Sequence, residues 1–203
     1  MSEWGFIVAA YLLGSISFGI VVSRAFGLPD PRTIGSGNPG ATNVLRSGKK
    51  AAAALTLLGD AAKGWLAVWL AQRLGFAPAY VALSMVAVFG GHLYPVFYGF
   101  KGGKGVATAF GILLALSPWL GLSVCAAWLL TFAVFRVSSL SALVAAALSP
   151  VFAFALFGVG LLSATVLALA LALIWRHKSN IRKLLDGTEA GFSKSKTASK
   201  PGQ

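Results

Sequence analysis

The chain has 203 residues, 57% of them hydrophobic and only 11% charged, with a mean hydropathy of +0.80. Soluble domains run nearer a quarter charged, so this composition excludes one and predicts an all-α integral membrane protein. Seventeen Lys and Arg stand against five Asp and Glu, a net charge of +12; the surplus suits membrane orientation, anionic head groups or anionic substrates, and the scarce carboxylates argue against a two-metal site.

In chain order, the N-terminus MSEWGFIVAAYLLGSISFGIVVSR lacks the basic start of a signal peptide and reads as an uncleaved first helix, spanning 4–22 and ending at Arg24. GSGNPGATNVLR, residues 35–46, follows. Its G-x-G-x-x-G at Gly35, Gly37 and Gly40 is not a dinucleotide fingerprint, because membrane helices flank it instead of a strand and its helix. A bare connector is the plainer reading. Ser36, Asn38, Thr42 and Asn43 beside Arg46 argue against it: glycines let backbone N–H groups approach an oxyanion, and a guanidinium can hold phosphate with two parallel hydrogen bonds.

The second span, 51–74, is interrupted by Asp60 and Lys63, an i, i+3 pair that either fixes helix packing or supports a site. The third, 79–98, starts after Pro78 and carries His92, read as a structural histidine. GFKGGKGVAT, residues 99–108, is not a Walker loop, since Gly105 follows Lys104. It opens a helix whose free N–H groups and positive dipole end attract anions. Lys101 and Lys104, set among Gly102, Gly103 and Gly105, read either as head-group anchors or as a phosphate cradle.

A fourth stretch, 105–117, is too short for a perpendicular span; 119–135, 140–157 and 159–175 complete seven. RHKSNIRKLLDGTE, residues 176–189, comes next, with His177 and Asn180 expected on one face of a continuing helix and Glu189 as an orienting group. Residues 1–189 thus form a single membrane domain, and 190–203 a disordered basic tail. The single Cys125 lies in an apolar run and reads as a small hydrophobe. With the N-terminus outside and the C-terminus cytoplasmic, 15 of the 17 basic residues fall inside; Arg73 lies outside and Lys63 within a span. That orientation gathers 35–46, 99–108 and 176–189 on the cytoplasmic face.

Neither histidine is followed by Asp at the fifth position, so the H-x-x-x-x-D arrangement of thioester-using acyltransferases is missing. A site that binds phosphates without a strong nucleophile suits an already activated donor, such as a mixed anhydride of fatty acid and phosphate, with positioning and charge stabilisation carrying catalysis. GSGNPGATNVLR, GGHLYPVFYGFKGGKGVAT and RHKSNIRKLLDGTE together resemble, in order, the three motifs of the bacterial acyl-phosphate:glycerol-3-phosphate acyltransferases, the PlsY family. The likeness spans the chain except its tail; Lys183 stands where the motif more often has arginine.

The resemblance implies a seven-helix inner-membrane enzyme. Such an enzyme makes lysophosphatidic acid and phosphate from acyl phosphate and sn-glycerol 3-phosphate, the first acylation of phospholipid synthesis. It implies no cofactor or metal, no nucleic-acid partner, membrane lipids around the chain, and a separate enzyme that supplies acyl phosphate. By motif, Ser36, Arg46, Lys104, His177 and Asn180 would be catalytic. Gly37, Asn38, Gly40, Thr42, Asn43, Lys101, Gly102, Gly103, Gly105 and Glu189 would bind substrate or its phosphate. Whether His177 or the substrate's phosphate takes the proton stays open. An organophosphate transporter would share the basic face, but transporters place ligands at the midplane between paired repeats, and seven spans do not halve. A lipid-binding scaffold is the third reading.

Overall fold

The computed structural model describes residues 2–191. The basic tail expected at 190–203 therefore lies, from 192 on, outside the described residues. Those residues form ten α-helices, one 3-10 turn and no strand. They run α1 (Glu3–Gly14), α2 (Phe18–Ala25), α3 (Ala41–Leu45), α4 (Lys50–Arg73), α5 (Pro78–Leu93), α6 (Val106–Leu116), α7 (Pro118–Phe135), α8 (Ser138–Phe157), α9 (Leu161–Arg176) and α10 (Lys178–Leu185).

All seven apolar stretches read from the sequence are helical, but they do not all have the length of a crossing. Lys50–Arg73, Pro78–Tyr98, Pro118–Phe135 and Ser138–Phe157 are long and apolar enough alone; two bent pairs, α1 with α2 and α9 with α10, raise the number to six. Val106–Leu116 is an apolar helix of 11 residues, about 16 Å long against a hydrocarbon core of about 30 Å.

Two breaks depart from the sequence reading. The stretch 4–22 is not one helix: it bends by 47° between α1 and α2. No proline causes this. The Ser15 hydroxyl donates to the Tyr11 carbonyl at 2.9 Å and accepts the Val96 N–H at 3.3 Å, a side-chain alternative to the helical ladder. The Ile16 carbonyl, left over at the break, accepts from Lys63 Nζ at 2.6 Å. In a membrane such a carbonyl needs a protein partner. The second bend, 59°, falls at His177. His177 therefore caps α10 and does not continue one helix with Asn180.

Packing is close where side chains are small. A Cβ on Gly111 of α6 would run into the Ala61 carbonyl of α4, and one on Gly64 of α4 into the Thr108 carbonyl. These glycines bring two backbones together, as in membrane helix pairs. The interior holds Val68, Met85, Val88, Ile112 and Leu120. Large apolar side chains such as Trp119 and Val134 stand on the outside, 72% and 73% exposed. Polar groups go inward instead: Asp60 and Lys63 are each 2% exposed.

Candidate active site

The three polar segments meet because the helices carrying them end at one mouth. Within 35–46, the backbone is held by Asn43, whose Oδ1 accepts the Ser36 N–H at 3.0 Å and whose Nδ2 donates to the Pro31 and Ile34 carbonyls at 2.7 and 3.1 Å. Gly35 turns beside it with φ +54°, and a Cβ there would strike Asn43 Oδ1. That left-handed backbone favours glycine. The sequence reading gave Asn43 a place in the cradle; its side chain is spent on shaping the loop. Short α3 then presents Thr42, which shares a 3.2 Å hydrogen bond with Ser138 at the start of α8.

Residues 99–105 form a loop entering α6. Gly105, at φ +88°, is its N-cap, and a Cβ there would press on the Phe89 ring. Arg176 pins the loop from α9, donating to the Gly102 carbonyl at 3.0 Å and to the Gly103 carbonyl at 3.0 and 3.2 Å. Lys104 Nζ donates to Asn180 Oδ1 at 2.5 Å, Asn180 Nδ2 to Glu189 Oε1 at 2.6 Å, and Ser139 Oγ to the same carboxylate oxygen at 2.5 Å. A polar chain thus runs from the glycine loop through α10 to α8.

A cavity of about 410 Å³ opens among these groups. Its polar end is lined by Ser36, Asn38, Gly40, Thr42, Asn43, Arg46, Lys104, Gly105, His177, Asn180 and Glu189. The structure does not bring Gly37, Lys101, Gly102 or Gly103 to its wall. Lys101 is exposed, and Gly103 is buried on the inner side of the loop against the His92 ring. Ser138, Ser139, Asp60 and His92 do line it. The two serines were missed from sequence; their only signal is a polar pair opening an apolar helix. Away from the mouth the wall turns apolar, with Leu57, Phe110, Leu113, Trp128, Val166 and Leu169.

The electrostatics fit an anion. The Arg46 backbone N–H closes α3 on the Asn43 carbonyl at 3.1 Å, while its guanidinium makes no hydrogen bond among the described residues and lines the cavity. Burial holds the Lys104 ammonium below the ordinary lysine value, with Glu189 opposing the shift and Lys183, Arg176 and Arg46 adding to it. The His177 Nδ1 meets the Leu173 carbonyl at 2.8 Å. A carbonyl only accepts, so Nδ1 carries the proton and Nε2 keeps a free lone pair. Burial pushes the imidazole down to about 4, so it is neutral at physiological pH.

Residues 4–187 match the family model for glycerol-3-phosphate acyltransferase. A glycerol-3-phosphate acyltransferase of Methylobacillus flagellatus is 68% identical over 96% of this chain and 99% of its own. That of Ralstonia nicotianae is 61% identical over 94% of each. Among solved structures, PlsY, an integral membrane glycerol 3-phosphate acyltransferase, superposes in its glycerol 3-phosphate form with a TM-score of 0.90 at 38% identity, covering 95% of this chain and 96% of that one. Its lysophosphatidic acid form gives 0.89 at 36% identity with the same coverage. The chain belongs to the glycerol-3-phosphate acyltransferase family and is, like PlsY, an integral membrane acyltransferase.

Proposed function

We propose that the cavity transfers a fatty acyl group from acyl phosphate to the 1-hydroxyl of sn-glycerol 3-phosphate, forming lysophosphatidic acid and inorganic phosphate. One observation carries this reading: a single cavity joins a mouth with unpaired Arg46, Lys104 and the α6 N-terminus to an apolar depth sized for an alkyl chain. A phosphorylated, acylated donor has that same division. The acyl chain lies between α6, α7, α8 and α9, and the phosphates sit at the mouth. The PlsY structures with glycerol 3-phosphate and with lysophosphatidic acid support the acceptor and the product.

In the transfer, the acceptor hydroxyl oxygen attacks the acyl carbonyl carbon and the carbon–oxygen bond to phosphate breaks. The bond's electrons leave with the phosphate. Arg46 holds one phosphate by its fork, Lys104 and the first N–H groups of α6 hold another, and Ser36 adds a hydroxyl. Asn180 ties Lys104 to Glu189 and fixes both. His177 Nε2 accepts a hydrogen bond from the attacking hydroxyl and orients it. An imidazole at about 4 is a poor resting place for the proton; the inorganic phosphate released from the anhydride is at least as basic as a phosphate monoester, whose second pKa is about 6, and is a better one. The departing phosphate therefore takes it.

The chain crosses the bilayer seven times in this account, N-terminus outside, in a bacterial inner membrane with the mouth facing the cytoplasm. α6 is the short crossing. It shares the Ser117–Pro118 turn with α7, and its 11 residues against 18 leave its other end about 10 Å short. The glycine loop is thereby recessed toward the acyl chain. A periplasm-dependent reporter should be active near Gly75 and silent after Glu189. The test of the chemistry is turnover by purified protein: palmitoyl phosphate should give lysophosphatidic acid in the presence of chelator, and palmitoyl-CoA should give almost none. Equal use of the thioester would overturn the donor assignment.

A further inference from the structure

We infer that His92, held by the buried Asp60–Lys63 pair, is a positioning residue that sets the height of the glycine loop and so the affinity of the mouth for phosphate. The inference rests on the phosphate-binding reading of that loop and adds a residue outside it. His92 sits in the last turn of α5, 7% exposed. Its carbonyl accepts the Gly103 N–H at 3.1 Å. Its ring lies directly under the loop: a Cβ on Gly103 would collide with Nε2, and the nearest atoms to such a Cβ all belong to the imidazole. One residue further on, Lys104 reaches Asn180 and the cavity. The imidazole edge is the floor beneath Gly103, the residue that precedes that lysine.

The other edge of the ring is anchored from below. Nδ1 lies 3.1 Å from Thr108 Oγ1 on α6 and 3.5 Å from Asp60 Oδ1 on α4. Asp60 pairs with Lys63 Nζ at 2.8 Å, and Lys63 also takes the Ile16 carbonyl freed by the break between α1 and α2. Three segments, the glycine loop, α6 and α4, thus meet the ring of this α5 residue, and the break between α1 and α2 is joined to it through Lys63. A buried pair whose only task was to join α4 to the broken first helix would not need a histidine pressed against the loop of another segment. The arrangement transmits the rigidity of the bundle to a loop whose four glycines would otherwise let it settle.

The test separates packing from positioning. In His92→Asn the amide nitrogen takes the place of Nδ1, keeps Asp60 and Thr108 as partners, and withdraws the ring edge from beneath Gly103. Purified protein in detergent is titrated calorimetrically with glycerol 3-phosphate and with inorganic phosphate, and its thermal midpoint is measured alongside. His92→Asn should weaken at least one of the two ligands about tenfold, with a matching rise in KM, kcat within threefold and the midpoint within about 2 °C. Gly103→Ala should weaken binding more than tenfold, because the added Cβ meets the ring. The double variant should bind better than Gly103→Ala alone, since the withdrawn edge makes room. His92→Asn with both ligands within twofold of the parent would overturn the inference. So would a double variant no better than Gly103→Ala, or binding losses that merely track lost folded protein. Failure of the donor reading would appear separately, as absent acyl-phosphate turnover by the parent.

Discussion

Replacing Asn180 by alanine should strip the mouth of its central joint. At the mouth the Asn180 amide links a cation to a carboxylate: Lys104 donates to its oxygen at 2.5 Å and its nitrogen donates to Glu189 at 2.6 Å. Each is a hydrogen bond to a charged group, worth about 1.5–3 kcal/mol. If water replaces one of them, the loss is about 1.5 kcal/mol; if neither is replaced, it is at least about 3 kcal/mol. In kcat/KM this corresponds to roughly tenfold to 150-fold. The assay is steady-state formation of lysophosphatidic acid from palmitoyl phosphate with glycerol 3-phosphate varied. Asn180→Asp should do at least as badly, because it keeps the acceptor for Lys104 and sets a second carboxylate against Glu189. Adding Glu189→Gln to it should restore part of the activity. Lys49→Ala, at an exposed side chain outside the cavity, is the control and should stay within twofold. A folded Asn180→Ala protein within threefold of the parent would refute the idea that this chain of hydrogen bonds organises the site.

Arg46→Lys keeps the charge but loses the fork, and should cost about 1.5–3 kcal/mol, or tenfold to a hundredfold or more in kcat/KM; Lys104→Ala should fall in the same range by the same assay. His177 titrates at about 4 in the folded protein and near 6.5 unfolded. The unfolded chain therefore takes the proton first as pH falls. Stability should be full above about 6.5 and decline toward pH 4, by at most about 3 kcal/mol. Chemical denaturation across that range should show the slope, and His177→Asn should flatten it. Ala146 lines the apolar wall of the cavity on α8, about 12 Å along the helix from Ser138. Ala146→Phe should leave octanoyl phosphate within threefold and slow palmitoyl phosphate at least tenfold, read as kcat/KM across a chain-length series.

The apolar stretches were legible because lipid-facing helices must be apolar along their length, and the three polar loops stood out against them. Their convergence also followed from the asymmetry of the basic residues. The two breaks did not show. At Ser15–Ser17 the interruption is stabilised by Lys63 from another helix, a partner that no local pattern reveals. The Asp60–Lys63 pair was visible as an oddity, but its link to His92 required the approach of α4, α5 and α6. Asn43 was placed in the cradle by its motif; in the fold it lines the cavity, and that its amide also braces its own loop was not visible in the sequence. Ser138 and Ser139 carry no motif, and they reach the site only because α8 starts where Thr42 and Glu189 end. Gly102 and Gly103 belong to the loop's construction, held by Arg176, and only Lys104 and Gly105 reach the cavity.

The central claim is direct transfer between two substrates held together, with no acyl group resting on the protein. Rapid mixing of purified enzyme with acyl phosphate labelled in its phosphorus tests it most directly. Without glycerol 3-phosphate, no burst of labelled phosphate should appear, because neither Ser36 nor any other side chain at the mouth takes the acyl group. On adding glycerol 3-phosphate, labelled phosphate and lysophosphatidic acid should form one for one. A stoichiometric burst of phosphate before the acceptor is added would mean an acyl-enzyme, and would contradict the account.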